Sequence, residues 1–114
     1  MLALYNQVIL ANSTFYSPAV YIGLTNSPYP LIVNPIQAIF IKGSSTTLSV
    51  TIEGAFIPTP PNEQVTLLDT DYIEIQTITA DGVINGLSLN GLWIRFKVQN
   101  TASSDAIVTA VLND

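Results

Sequence analysis

The sequence predicts an all-β chain: an antiparallel sandwich of two sheets, jelly-roll-like, with eight or nine short strands. Three observations predict it. Val, Ile, Thr, Tyr and Phe dominate short runs separated by turn residues. Two of those runs alternate cleanly between apolar and polar residues, the period of a strand with one buried face. No segment sustains the 3.6-residue stripe of an amphipathic helix.

Taken in order, the runs place strands near 4–10, 18–24, 36–42, 47–53, 63–68, 72–79, 83–89, 91–99 and 106–112. Asn-Ser-Pro-Tyr-Pro (26–30) and Val-Asn-Pro (33–35) break the first half. Lys-Gly-Ser-Ser (42–45) reads as a hairpin turn. Pro-Thr-Pro-Pro-Asn (58–62) is excluded from a central strand, because proline has no ladder donor. Ala-Asp-Gly (80–82) and Leu-Asn-Gly (89–91) are turns in which glycine supplies positive φ. In TTLSVTIEG, Leu48, Val50 and Ile52 point one way and Ser49, Thr51 and Glu53 the other. In LWIRFKVQN, Leu92, Ile94, Phe96 and Val98 alternate with Trp93, Arg95, Lys97 and Gln99. In YIEIQTIT, Ile73 and Ile75 share a face but Ile78 falls on the other, so a bulge or a strand leaving the sheet is expected there.

The 114 residues suffice for one domain with one core. Hydrophobic residues make up 48% and charged residues 10%, against about 25% charged in ordinary soluble domains. The net charge is −5 and the pI near 4.1. With three basic residues in all, nucleic acid and anionic membrane surfaces are poor partners. The mean hydropathy is +0.44, yet no run approaches the ~20 apolar residues of a membrane-spanning helix. The N-terminal MLALYNQVILANST lacks a basic region ahead of its apolar stretch, so a soluble protein made without export is expected.

Cysteine and histidine are both absent. That removes disulfides, thiolate nucleophiles, imidazole acid–base chemistry and the commonest zinc ligands. Serine lacks a partner base, since neither Lys42 nor Lys97 completes an SxxK arrangement. The phosphate loop GxxxxGK[ST] does not occur. No enzymatic activity and no cofactor are expected. The acidic stretch LLDTDYIE offers Asp69, Asp71 and Glu74. Asp69 and Asp71 could present oxygens to Ca²⁺, but the ligand count and glycine of an EF-hand loop are missing. The alternative is that these acids solubilise the flank of an apolar strand.

Two features point to contacts with other proteins. The first charged residue is Lys42, so the opening third of the chain is uncharged. Charge depletion marks covered surface. On that reading residues 1–35 form an N-terminal arm, an edge strand or an interface segment of the single domain 1–114, and Tyr5, Phe15, Tyr16 and Tyr21 are candidate contacts. The other reading is that they are ordinary core strands. The second feature is the row Trp93, Arg95 and Lys97, on one face of one strand about 7 Å apart per step. Trp and Arg often carry interface energy, and an acidic neighbour would suit the row. Equally, the row pairs across its own sheet with Glu53 or Glu74. The aromatic set also permits a carbohydrate-binding sandwich module.

The stretch TTLSVTIEGAFIP and the later GLSLNGLWIRFKVQNTASSDAIVTAVLND resemble small β-sandwich proteins of tailed phages, the capsid decoration (cement) and head–tail accessory proteins. The resemblance covers roughly residues 36–114. It implies a virion structural protein assembled in the host cytoplasm and seated on the capsid surface. It also implies a homo-oligomer, with a trimer favoured, and the major capsid protein as partner. A tail or neck component is the neighbouring alternative.

Overall fold

The computed structural model describes residues 2–22, 36–41, 48–56, 68–87, 89 and 92–113. The turns expected at 26–30, 33–35, 42–45 and 58–62, the strand at 63–67 and most of the turn at 89–91 lie outside the described residues. Among the described residues nine strands form two antiparallel sheets. They are β1 (Leu2–Ile9), β2 (Ser13–Tyr16), β3 (Val20–Tyr21), β4 (Ile36–Ile41), β5 (Leu48–Phe56), β6 (Ile73–Ile78), β7 (Gly82–Leu87), β8 (Leu92–Asn100) and β9 (Ala106–Asn113). A 3₁₀ turn, Asp69–Asp71, precedes β6.

Sheet I has the order β1-β9-β4-β7, and sheet II the order β2-β8-β5-β6, with β3 also paired to β8. Strands β2 and β3 lie on the same edge of β8 and act as one interrupted strand. Eight strand positions then remain, and their pairing follows one rule. First pairs with last (β1–β9), second with seventh (β2/β3–β8), third with sixth (β4–β7) and fourth with fifth (β5–β6). The contacts β9–β4 and β8–β5 close that long ribbon into two sheets. This is the jelly-roll winding.

The break in the edge strand has a local cause. Pro18 has no backbone donor, so the segment Ser17-Pro18-Ala19 cannot keep a ladder and is tolerated only at an edge. Ser17 repairs the gap: its backbone N–H donates to Phe96 O at 2.9 Å, and its Oγ accepts from the Phe96 N–H at 2.8 Å. Of the strand expected at 18–24, Val20–Tyr21 form β3, Pro18 and Ala19 lie outside the ladder, and residues 23–24 fall outside the described residues; the sequence pattern does not anticipate β2. Four residues hemmed in by Asn12 and Pro18 give too short an alternation to register as a strand.

The core fills the space between the sheets. Sheet II contributes Leu48, Val50 and Ile52 from β5 and Ile94, Phe96 and Val98 from β8, the apolar sets expected from alternation. Sheet I contributes Leu2, Leu4, Ile9, Phe40, Val108, Ala110 and Leu112. Leu4 and Ile9 lie an odd number of residues apart, so a regular strand would point them to opposite faces. A bulge between Leu4 and Gln7 on β1 restores the phase. Asn6 makes it possible with φ of 49°, a left-handed conformation that asparagine tolerates better than most residues. Its N–H donates to Thr109 Oγ1 at 3.0 Å. The bulge expected in YIEIQTIT is present as a register shift between Ile52 and Glu53 on the β5–β6 ladder.

Residues 2–22 are thus strands of the sandwich, anchored by Leu2, Leu4, Ile9 and Ile22 in the core. The lack of charge in this stretch follows partly from core burial, and the stretch supplies one edge of each sheet.

Candidate functional site: an arginine cage on sheet II

Strand β8 runs through the middle of sheet II, between the β2/β3 edge and β5. Alternation turns Trp93, Arg95 and Lys97 to the outer face, and the register sets their neighbours. Arg95 opposes Glu53, Trp93 opposes Ala55 and Lys97 opposes Thr51 on β5. On the other flank Trp93 opposes Tyr21 and Lys97 opposes Tyr16.

Arg95 is 8% exposed, unusual for an arginine on an outer sheet face. Its Nε donates to Glu53 Oε1 at 2.9 Å, and its Nη1 donates to Asp69 Oδ1 at 2.7 Å. The guanidinium lies between two rings, 4.3 Å from the Tyr16 centroid and 3.9 Å from the Tyr72 centroid. Both distances are within reach of a cation–π attraction. Burial alone would pull the arginine pKa down, but the hydrogen bonds and charges of Asp69 and Glu53 outweigh it and hold the pKa above the ordinary value. Burial pushes the Tyr72 hydroxyl up; Arg95 opposes that, and Glu53, Asp69 and Asp71 reinforce it.

Four segments meet on this one cation: β5 through Glu53, the 3₁₀ turn through Asp69, the β2 edge through Tyr16, and Tyr72 just ahead of β6. The cage ties the edge strand and the turn to the centre of the sheet. The cation is satisfied inside one chain, so the intramolecular arrangement is the one Arg95 adopts. Glu53 was one of the two acids expected to pair with it. The other, Glu74, instead accepts a hydrogen bond from Thr77 Oγ1.

The carboxylates considered for Ca²⁺ have other partners. Asp69 holds Arg95, and Asp71 Oδ2 accepts from the Leu68 N–H at 2.7 Å, which caps the 3₁₀ turn. Trp93 and Tyr21 are half-buried, with ring centroids 5.7 Å apart and planes inclined by 53°. The Trp93 Nε1 is buried and has no hydrogen-bond acceptor. Lys97 is half-buried between its register partners, Phe15 packs against the core, and Tyr5 is exposed on sheet I. The candidate contact residues are therefore split. Trp93, Arg95, Lys97, Tyr16 and Tyr21 share the outer side of sheet II, while Phe15 and Tyr5 lie elsewhere.

Sequence reasoning missed Asp69 and Tyr72 as partners of Arg95. Asp69 is 26 residues from Arg95 and reaches it from a turn, so no strand period connects them. An uncharged recess also lies at one end of sheet II, lined by Asn12, Ser13, Thr14, Gln99, Asn100 and Thr101. The Asn100 side chain within it is committed internally: Nδ2 donates to Ile9 O, Leu10 O and Ser104 O at 3.0–3.3 Å, and Oδ1 accepts from Ala102 N–H at 3.0 Å. In comparisons with known proteins, the chain matches no family model, no curated protein and no solved structure.

Proposed function

We propose that this chain is a non-enzymatic structural protein of a virus particle, a capsid decoration protein that binds and stabilises a coat lattice. The observation that carries the reading is the jelly-roll strand order. Viral capsid domains, lectins and cupins are among the architecture's users. A fold hosts many functions, so the outer faces decide between a protein and a sugar partner.

A sugar-binding module presents flat exposed aromatics. Here Trp93 and Tyr21 are half-buried and mutually inclined, and Tyr16 and Tyr72 are stacked on Arg95. The polar face is turned to holding itself together. The strands of sheet I carry no charge, as expected of surface that meets protein. These features favour a protein partner over a glycan. On this reading the partner is the major coat protein, and the site of action is the outer surface of the capsid. A tail or neck position would use the same surfaces.

The test is mass spectrometry of purified particles made from the genome that encodes the chain. The proposal expects the chain in intact particles at a copy number comparable to the coat protein. Its absence from particles would overturn the proposal, and a handful of copies per particle would move it to the neck or tail.

A further inference from the structure

The arginine cage occupies one half of the outer face of sheet II. The other half is not committed in the same way. Thr14 and Gln99 are register partners there, and the next pair on that face is Tyr16 and Lys97. With Asn12, Ser13, Asn100 and Thr101, they line a recess of about 240 Å³ that ends at Thr14 and Gln99. Asn100 is 2% exposed and its amide is engaged on both sides, so it forms a fixed wall. Ser13 Oγ donates to Leu10 O at 2.6 Å and keeps its lone pairs. The side chains of Asn12, Thr14 and Gln99 make no hydrogen bond among the described residues. Lys97 stands one step along β8 from Gln99, about 7 Å away. Its ammonium group makes no ion pair or hydrogen bond among the described residues.

We infer that this recess and Lys97 form a binding site for an acidic sugar, a single ring that carries hydroxyls and one carboxylate. The lining selects the hydroxyls. Its six side chains are carboxamides and hydroxyls, with no charge and no large apolar group. Small-molecule pockets are ordinarily apolar with a few polar groups, so this one suits a ligand that is polar all round. Carboxamides and hydroxyls both donate and accept, as each sugar hydroxyl does. The size selects one ring: the recess has room for about eight waters and is smaller than the pockets of drug-sized ligands. Charge sets the orientation. Lys97 offers a carboxylate the stronger, charge-assisted kind of hydrogen bond. At the Asn12 end the exposed Asp105 accepts the Ala11 N–H at 2.9 Å and repels an anion. The carboxylate therefore lies towards Lys97 and the hydroxyls in the recess. An acidic peptide satisfies Lys97 but leaves the recess without hydroxyls, and its side-chain stems meet no apolar wall.

The site is separate from the aromatic pairs on Arg95 and Trp93 and does not rest on the virion reading. Particle composition decides that reading, and ligand titration decides this one.

The isotope-labelled chain is titrated with D-glucuronate, D-glucose, acetate and a polyglutamate peptide, and the backbone amide shifts are followed by NMR. Glucuronate should saturate with a Kd of about 1 mM, the order set by so small a ligand, and should move the amides of Thr14, Gln99 and Asn100. Glucose should bind at least about tenfold more weakly, and acetate and polyglutamate should not saturate by about 50 mM. Lys97→Met should reduce glucuronate binding to the level of glucose. Gln99→Glu keeps the shape and sets a like charge in the recess, so it should abolish glucuronate binding; it repeats the test should Lys97→Met fold poorly, which its amide spectrum shows. No saturation by glucuronate, equal affinity for glucose, shifts that map away from the recess, or tighter binding of polyglutamate would each overturn the assignment.

Discussion

Replacing Arg95 with methionine keeps an unbranched apolar stem, two atoms shorter than the arginine, and removes the charge. The consequence falls mainly on Glu53. Its side chain is 12% exposed and loses its cation, so a carboxylate is left buried and uncompensated. Breaking a buried pair from one side costs about 3–5 kcal/mol. Asp69 adds little, because its side chain is 77% exposed and water replaces the arginine. The two tyrosine rings add about 0.5–2 kcal/mol of cation–π attraction, part of which the methionine recovers by packing. A domain of this size is stable by roughly 5–15 kcal/mol, so the variant should fold. Unfolding entropy scales with length, so the loss amounts to a fall in melting temperature of about 12–20 °C. The decisive comparison is a double-mutant cycle by urea denaturation with Glu53→Met. The double variant has no buried charge and should recover most of the loss, with a coupling of at least ~2 kcal/mol. An Arg95→Met loss below ~1 kcal/mol, or losses that simply add, would refute the claim that Arg95 is an internal lock.

Four further outcomes follow from the structure. Ser17→Ala leaves the Phe96 N–H without its acceptor and should cost about 1–3 kcal/mol in chemical denaturation. Asn100→Ala removes the amide's bonds to Ile9 O, Ser104 O and the Ala102 N–H, while Leu10 O keeps the Ser13 hydroxyl, and should cost about 2–4 kcal/mol on the same assay. Gly54→Ala places a Cβ 2.6 Å from Ile75 Cδ1. It should cost about 1–2 kcal/mol, and Ile75→Val in the same chain should return most of it by withdrawing that methyl. The Tyr72 hydroxyl has its pKa raised in the fold, so the stability it confers is complete below the unfolded value of about 10. That stability is lost as pH rises through the folded value. Tyr72→Phe should flatten the alkaline limb of a stability–pH profile above about pH 10, and an unchanged limb would contradict the assignment.

Much of this fold was legible because its strongest strands bury one face. β5 and β8 alternate over nine residues each, and their inner sets went into the core as the pattern required. The β6 bulge was legible because Ile73, Ile75 and Ile78 cannot share one face without an extra residue. β2 and β3 were not legible as a pair, because Pro18 interrupts them and a serine hydroxyl stands in for a strand carbonyl. That substitution is a tertiary fact with no local period. The same limit applies to the cage. Glu53 could be proposed for Arg95 because strands place residues opposite one another. Asp69 and Tyr72 arrive from a turn and a strand approach, where sequence spacing sets no geometry. The uncharged opening of the chain was a correct signal of something apolar, but it mixed two causes: Leu2, Leu4 and Ile9 face the core, whereas Tyr5 and Val8 face outward.

The central claim is that sheet II holds itself together through the Arg95 cage. Native-state hydrogen exchange compared between the wild type and Arg95→Met tests it most directly. The account predicts that exchange accelerates more in β2 (Ser13–Tyr16) and in the turn Asp69–Asp71, which the cage ties to β8, than in β1 and β9 of sheet I. Exchange that rises equally in both sheets, or not at all, would contradict it.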